Sequence, residues 1–476
     1  MAPNEPRRTC RPKTSATHGA LESRPLAVGD AGMPGCRDAT VPCQLTSGGT
    51  LRLERSNRMR AGRQRPMALD ESPRVRRRTR LRGSRHVGAI AFVTTVTAIL
   101  AMGVLIERAG AVFTGTTQNV ANDFTSAACF YRATVQSGST TSTANGIKTV
   151  TITSVNTTKA FLLFSTRHDL DRPVGSEVSG RIATSTTLEF ARGTDEASPI
   201  TIIIIIEWSV VEYSCGVNVQ RGSVAPSAAT VNVTIAAVNS VAAAFVTWSK
   251  LPNPPDTTWG GNDPLVGELT STTNLQLRQD ISAPSATIYW QVVEFTDPTT
   301  INVQKGSTSL TGGATSTTAT LGTAVTTART FVLVGARSSG DGVDIGSGMV
   351  RARLTNATTV TFDRSVANYD VTEISWQAVE LKDGSAVQSG SASLGSGTAS
   401  TTATITAVDL AKTTSFLSTQ TNGGQNGGRT AYVTDDIIGV ACATAKLTTT
   451  TQLTLTRTNT AAAADFAWFV VSWGLP

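Results

Sequence analysis

Beyond residue 111, apolar residues alternate with Thr, Ser and Asn instead of recurring every third or fourth position. Val150 and Ile152 alternate with Thr149, Thr151 and Thr153; Val231, Val233 and Ile235 with Asn232 and Thr234; Leu453 and Leu455 with Thr454 and Thr456. A period of two places the two sets on opposite faces of a pleated strand, where β-branched residues fit well. No stretch there carries the period of an amphipathic helix, so the pattern predicts an all-β body of half-buried antiparallel strands. The run Ile202–Ile206 is apolar throughout and too short for a membrane helix. It reads as a strand buried on both faces, and because such a strand aggregates when exposed, it points to tight pairing in the mature assembly.

The alternation is organised by a repeat. Val-Gln-x-Gly-Ser occurs around Gln136, Gln220, Gln304 and Gln388, each glutamine 84 residues after the one before. Each unit continues with Thr/Val alternation, a Phe (Phe161, Phe245, Phe331, Phe416), a variable loop, a strand ending in Arg (Arg192, Arg278, Arg364, Arg457) and a closing strand that starts at Trp208, Trp290, Trp376 or Trp468. Six or seven short strands broken by Gly, Asn and Pro turns predict one small antiparallel β-sandwich per unit, at 130–213, 214–297, 298–382 and 383–476. Such modules are large enough to own a core, unlike stacked solenoid repeats. The joint after Glu294 holds Pro298 and no Gly-Ser run, so it is expected to be stiff, and the four beads to lie in an elongated row.

Charge separates the chain differently. Residues 1–87 carry 19 Lys/Arg against 7 Asp/Glu, and the remainder 22 against 27, so the formal +7 is a basic leader on a mildly acidic body. The leader (1–87) has no hydrophobic period and is expected to be disordered, with Met59 and Met67 as alternative starts. Residues 88–106 contain no charge and match the roughly 20 residues that cross a bilayer as a helix. The arginine-rich flank Arg74–Arg85 sets that segment's orientation and leaves the body outside. Ala109-Gly110-Ala111 fits a signal-peptidase site, so 88–111 reads equally as a cleaved signal or a retained anchor, with 112–129 as linker. Without aromatic interleaving, the arginine clusters are read as topogenic and not as a nucleic-acid site.

The stretch Gly110–Ala127, GAVFTGTTQNVANDFTSA, resembles the junction that follows the leader in TasA/camelysin-type exported bacterial surface proteins. That resemblance implies secretion to a bacterial surface or matrix. The modules in turn resemble H-type lectin domains, six-stranded sandwiches with a V-Q-x-G opening strand and a closing Trp strand. The positions that match are Gln136, Gln220, Gln304 and Gln388 with Trp208, Trp290, Trp376 and Trp468, all framework residues.

Candidate chemistry is sparse. His168 is the only histidine after residue 87 and no C-x-x-C occurs, which argues against zinc. Cys129 and Cys215 flank the first module and are placed for a disulfide in an oxidising exterior, leaving Cys442 as a small apolar residue. The recurring Glu212, Glu294 and Glu380 are expected to bridge the recurring arginines across a sheet face. The variable loops are where binding would be grafted. There Trp259 with Asn262 and Asp263 reads as a sugar-binding loop, and Asp341 with Asp344 as a Ca2+ site. No other cofactor is expected.

These features point to an exported, non-enzymatic repeat protein of the bacterial cell surface or matrix, a stalk, filament subunit or adhesive spacer that self-associates. Its only membrane contact would be through 88–106, and nucleic acid is not expected as a partner. The alternative is a multivalent lectin-like protein whose partner is glycan, in which weak repeated sites add by avidity. An extracellular hydrolase ranks last, because no nucleophile and base are seen to be paired.

Overall fold

The computed structural model describes residues 129–474 apart from 144–145, 171, 194–202, 254–255, 257–258, 281–285, 339–344, 368–370 and 423–437. The leader, segment 88–106, the junction at 110–127 and the Asp341/Asp344 pair lie outside the described residues. No helix among the described residues is long and apolar enough to cross a membrane.

The body is all-β, as the alternation predicts. The first module has β1 (Ala133–Ser142), β2 (Gly146–Thr151), β3 (Ala160–Arg167), β4 (Ser179–Thr184), β5 (Thr187–Arg192) and β6 (Ile204–Tyr213). The second has β7 (Val217–Val224), β8 (Thr230–Thr234), β9 (Ala244–Pro252), β10 (Val266–Ser271), β11 (Asn274–Arg278) and β12 (Ala286–Phe295). The third has β13 (Ile301–Leu310), β14 (Ser316–Thr320), β15 (Thr330–Ser338), β16 (Arg351–Asn356), β17 (Thr359–Asp363) and β18 (Val371–Leu381). The fourth has β19 (Ala386–Leu394), β20 (Ser400–Thr404), β21 (Thr413–Thr421), β22 (Ala443–Thr449), β23 (Gln452–Arg457) and β24 (Ala464–Ser472). Every module is two three-stranded antiparallel sheets with one topology, β1-β6-β3 over β2-β5-β4 in the first and its counterparts in the others.

The repeated motifs meet across strands. Gly138, Gly222, Gly306 and Gly390 pair with Trp208, Trp290, Trp376 and Trp468. A Cβ on these glycines would stand 2.4, 2.6, 2.8 and 2.4 Å from the indole Cζ2, so only glycine seats the ring. Each motif glutamine acts as a surrogate peptide. The N–H of Thr153, Ala236, Thr323 and Thr406 donates to its Oε1, and its Nε2 donates back to the same residue's carbonyl, all at 2.6–3.0 Å. These partners follow the second strand of each module, so the glutamine ties one sheet to the other.

The expected Arg–Glu bridges between the repeats do not form. Instead Glu212, Glu294 and Glu380 accept the backbone N–H of Asn156, Asn239 and Thr326 at 2.6, 2.6 and 2.9 Å, closing the turn before the third strand. Arg364 and Arg457 donate to loop carbonyls, among them Ala314 (2.8 Å) and Thr398 (2.9 Å). Three loop carbonyls take up each of these two guanidinium groups locally, whereas the glutamate sits at the other end of its sheet.

The modules do not form a row. β4 packs on β9 and β12, β10 on β15 and β18, β16 on β21 and β24, and β22 returns to β3 and β6, so the fourth module meets the first as the first meets the second. The cause lies in sheets that are apolar on both faces. In the closing strand Val210, Val292 and Val470 point into their own sandwich, while Val211, Val293, Val379 and Val471 point into a core common to all modules. Val135, Val219, Val303 and Val387 join that common core. Rows of small sandwiches would leave it in water, and a closed ring buries it.

Aromatic side chains close the ring at one end. Phe161, Phe245, Phe331 and Trp473 meet edge to face in sequence, with centroids 5.7, 5.8, 5.7 and, back to Phe161, 5.2 Å apart. Phe416 is not the fourth member. Strand register puts Thr414 opposite Val471, where the other modules put Phe161, Phe245 and Phe331 opposite Val211, Val293 and Val379. Trp473 fills the place of the missing ring, and its Nε1 donates to Thr414 Oγ1 at 2.8 Å.

Candidate functional site

The ring has four pseudo-equivalent interfaces, and each is filled differently. A serine of the third strand holds the fourth strand of the preceding module at three of them. Ser249 Oγ accepts Gly180 N–H at 3.1 Å, Ser418 Oγ accepts Ala352 N–H at 3.0 Å, and Ser165 Oγ accepts Ala445 N–H at 3.3 Å. Between modules two and three the position is Gly335, packed so closely that a Cβ would lie 2.6 Å from Trp248. That interface is then locked by ions: Arg278 and Arg337 both bind Glu373, Arg278 also binds Glu268 at 2.7 Å, and Arg337 binds Asp280 at 3.2 Å. Between modules four and one, Lys446 pairs with Glu207 at 3.2 Å beside a cavity of about 460 Å³ lined by Leu163, Leu410, Leu447 and Trp208 together with hydroxyl side chains such as Ser137 and Ser209. A third cavity, about 330 Å³, lies among modules two, three and four.

Larger than either of these is a cleft of about 670 Å³ that opens between modules one and two and reaches inward to Leu333 and Met349 of module three and Phe416, Ile438 and Cys442 of module four. Its outer wall is Arg181, held by Glu189 at 2.5 Å and set 5.3 Å from the centroid of the Tyr289 ring, with Ser223 and Trp290 opposite. Its inner wall holds Thr247, Trp248, Phe416 and Cys442. Gln291 bridges the two modules beside it, accepting Leu162 N–H at 3.0 Å and donating to Leu162 O at 2.9 Å.

At the deep end lies a buried ionic cluster. Lys250 Nζ lies 3.1 Å from Glu177 of module one and 3.0 Å from Asp263 of module two, and donates to Asn262 O at 2.9 Å. Asn262 Nδ2 donates to Asp256 at 3.0 Å. Three carboxyls surround one ammonium, so burial, opposed by Lys250 and reinforced by the other carboxyls, pushes Glu177 up to about 8. Asp256 rises to about 7, from burial first and Asp263 second. Burial alone would depress Lys250, yet the surrounding carboxyls raise it above its usual value. His168 is sealed, and burial together with the Arg192 charge lowers it to about 3, so it stays neutral at physiological pH. Burial likewise pushes the Cys442 thiol up to about 12.

The predicted ligand loop is present, but it faces inward. Trp259 is only 7% exposed and packs with Ile345, Ile438, Val440 and Ala441 from the loops of modules three and four. Asn262 and Asp263 are spent on Lys250 and Asp256, and Gly260 N–H donates to Asp263 at 2.7 Å. Sequence shows turn residues in these loops but not that a neighbouring module covers them. The cleft residues Ser176, Arg221, Ser223 and Tyr289 were not anticipated, because what they share is a place in the ring. A disulfide joins Cys129 to Cys215 with Cα atoms 5.8 Å apart. No group of three His, Cys, Asp or Glu side chains among the described residues is arranged to hold a metal ion.

No protein-family model, curated protein or solved structure matches the chain. Function is therefore argued from the chemistry of the ring and its cleft.

Proposed function

We propose that the chain is an exported protein of the bacterial cell surface whose four modules act together as one rigid, non-enzymatic binding head. The edge-to-face closure of Phe161, Phe245, Phe331 and Trp473 carries this reading, because it makes the modules one body with a shared core. A closed ring adds no length as a stalk, whereas it presents a fixed surface with clefts between modules, the usual place for ligands on rigid scaffolds. The basic leader and apolar segment support export.

Two measurements test this. Electron microscopy of the purified chain is expected to show compact particles, with a radius of gyration near ~20 Å for the β body; rods or filaments would refute the head. Membrane-impermeant biotinylation of intact cells is expected to label body lysines, and labelling only after lysis would refute export.

A further inference from the structure

We infer that the cleft between modules one and two is a single saccharide-binding site, present once per chain despite the fourfold repeat. This deepens the reading of the ring as a binding head and depends on it.

The pseudo-equivalent interfaces provide the comparison. In the cleft, Ser176 Oγ and Trp259 Nε1, on side chains 3% and 7% exposed, are buried without a hydrogen-bond partner, as is Arg221 Nε. Trp290 Nε1 is a fourth such group. The framework indoles Trp208, Trp376 and Trp468 share that last property, so Trp290 alone would single out nothing. Arg167, Gln279, Ser338, Arg351 and Gln420 also keep buried polar atoms without partners, but none of them lines a described cavity, whereas Ser176, Trp259 and Arg221 line this one. The cavity between modules four and one is lined by no unpartnered buried polar atom except the framework indole, and the one among modules two, three and four by none. Leaving a donor buried and unmet costs roughly 1–3 kcal/mol, so several lining one cavity mark a place shaped for a polar occupant.

The walls specify the occupant's class. Tyr289, Trp290 and Trp248 offer aromatic faces that suit the C–H faces of a sugar ring. Ser176, Ser223 and the indole N–H groups offer neutral, directional partners for hydroxyls, while Ser249 and Thr247 are engaged by Gly180 and Gln291. Of the cations lining the cleft, Arg181 is paired with Glu189 and Lys250 with Glu177 and Asp263, whereas Arg221 donates to Ala160 O and has no carboxylate partner among the described residues, so the sugars screened include ones that carry a carboxylate. About 670 Å³ lies within the range of roughly 300–1,000 Å³ for small-molecule sites.

The internal repeat also supplies the control. Ser223 lines the cleft and is exposed, and Ser307 holds the same motif position in module three without lining it. The full chain is screened on an array of mono- to tetrasaccharides, and the strongest hit is titrated by calorimetry and by tryptophan fluorescence. Expected are one site per chain, a fluorescence change from the cleft indoles, and binding weakened at least ~10-fold by Ser223→Trp but within ~2-fold of wild type for Ser307→Trp. Matched melting temperatures confirm that both variants fold. An empty array, a stoichiometry near four, or equal effects of the two variants would overturn the site. If particles are compact and surface-exposed but no sugar binds, the head stands and the saccharide site falls.

Discussion

The carboxyls around Lys250 hold their protons far above the ordinary carboxylate range. Glu177 and Asp256 hold protons in the folded protein up to about 8 and 7, whereas unfolded they release them near ~4. The folded state therefore binds more protons through that window, and their contribution to stability falls as pH rises. Buried His168 works in the opposite sense, but only between about 3 and its unfolded value near ~6.5. Above pH 6.5 the carboxyls act without it. The melting temperature is expected to fall by on the order of 1–2 °C per unit from pH 6.5 to 8, and Glu177→Gln to flatten that slope. A wild-type profile that rises across this range would contradict the cluster's assignment. Nothing in sequence announced the cluster, because its members lie in two modules and come together only at their interface.

At the scale of strands, much was legible. The 84-residue spacing and the period-two alternation placed four sandwiches, and the Val-Gln-x-Gly-Ser and Trp motifs proved to be the two halves of one contact, glycine under indole. Two things were not read. Consecutive valines such as Val210-Val211 and Val292-Val293 put apolar side chains on both faces of a strand, which calls for a second core just as the run Ile202–Ile206 does. In the fourth module Phe416 imitates its counterparts from two residues away, and only pairing with β24 exposes the shift. The aromatic closure is an element-level lock. Phe245→Ala removes two edge-to-face contacts and leaves a void in the common core, so a loss of about 3–5 kcal/mol is expected in denaturant unfolding. A loss under ~1 kcal/mol would mean that the ring core is not shared.

For the whole molecule, the difference between a row and a ring rests on apolar area and not on linkers. Stiff short joints fit either arrangement; Gly216 and Gly384, at φ 75° and 104°, turn the chain tightly between modules and let each start beside the end of the last. What decides is that all four sheets carry a second apolar face, and closure hides every one. The described parts of the variable loops follow from the same geometry: Trp259, Ile345, Ile438 and Val440 meet in one apolar cluster, so a tryptophan read as free to bind is packing between modules.

One junction in that ring carries a consequence of its own. Arg132 and Gly474 form a bridge between strand ends, so the two limits of the described chain lie side by side. The order in which the modules are joined is then a matter of synthesis and not of architecture. A circular permutant in which a short linker joins residue 474 to 129, and which opens in the turn at 297–299, is expected to form the same compact particle, melting within a few degrees of the parent. Extended or aggregated particles from that permutant would show that the ring depends on the order in which it is made.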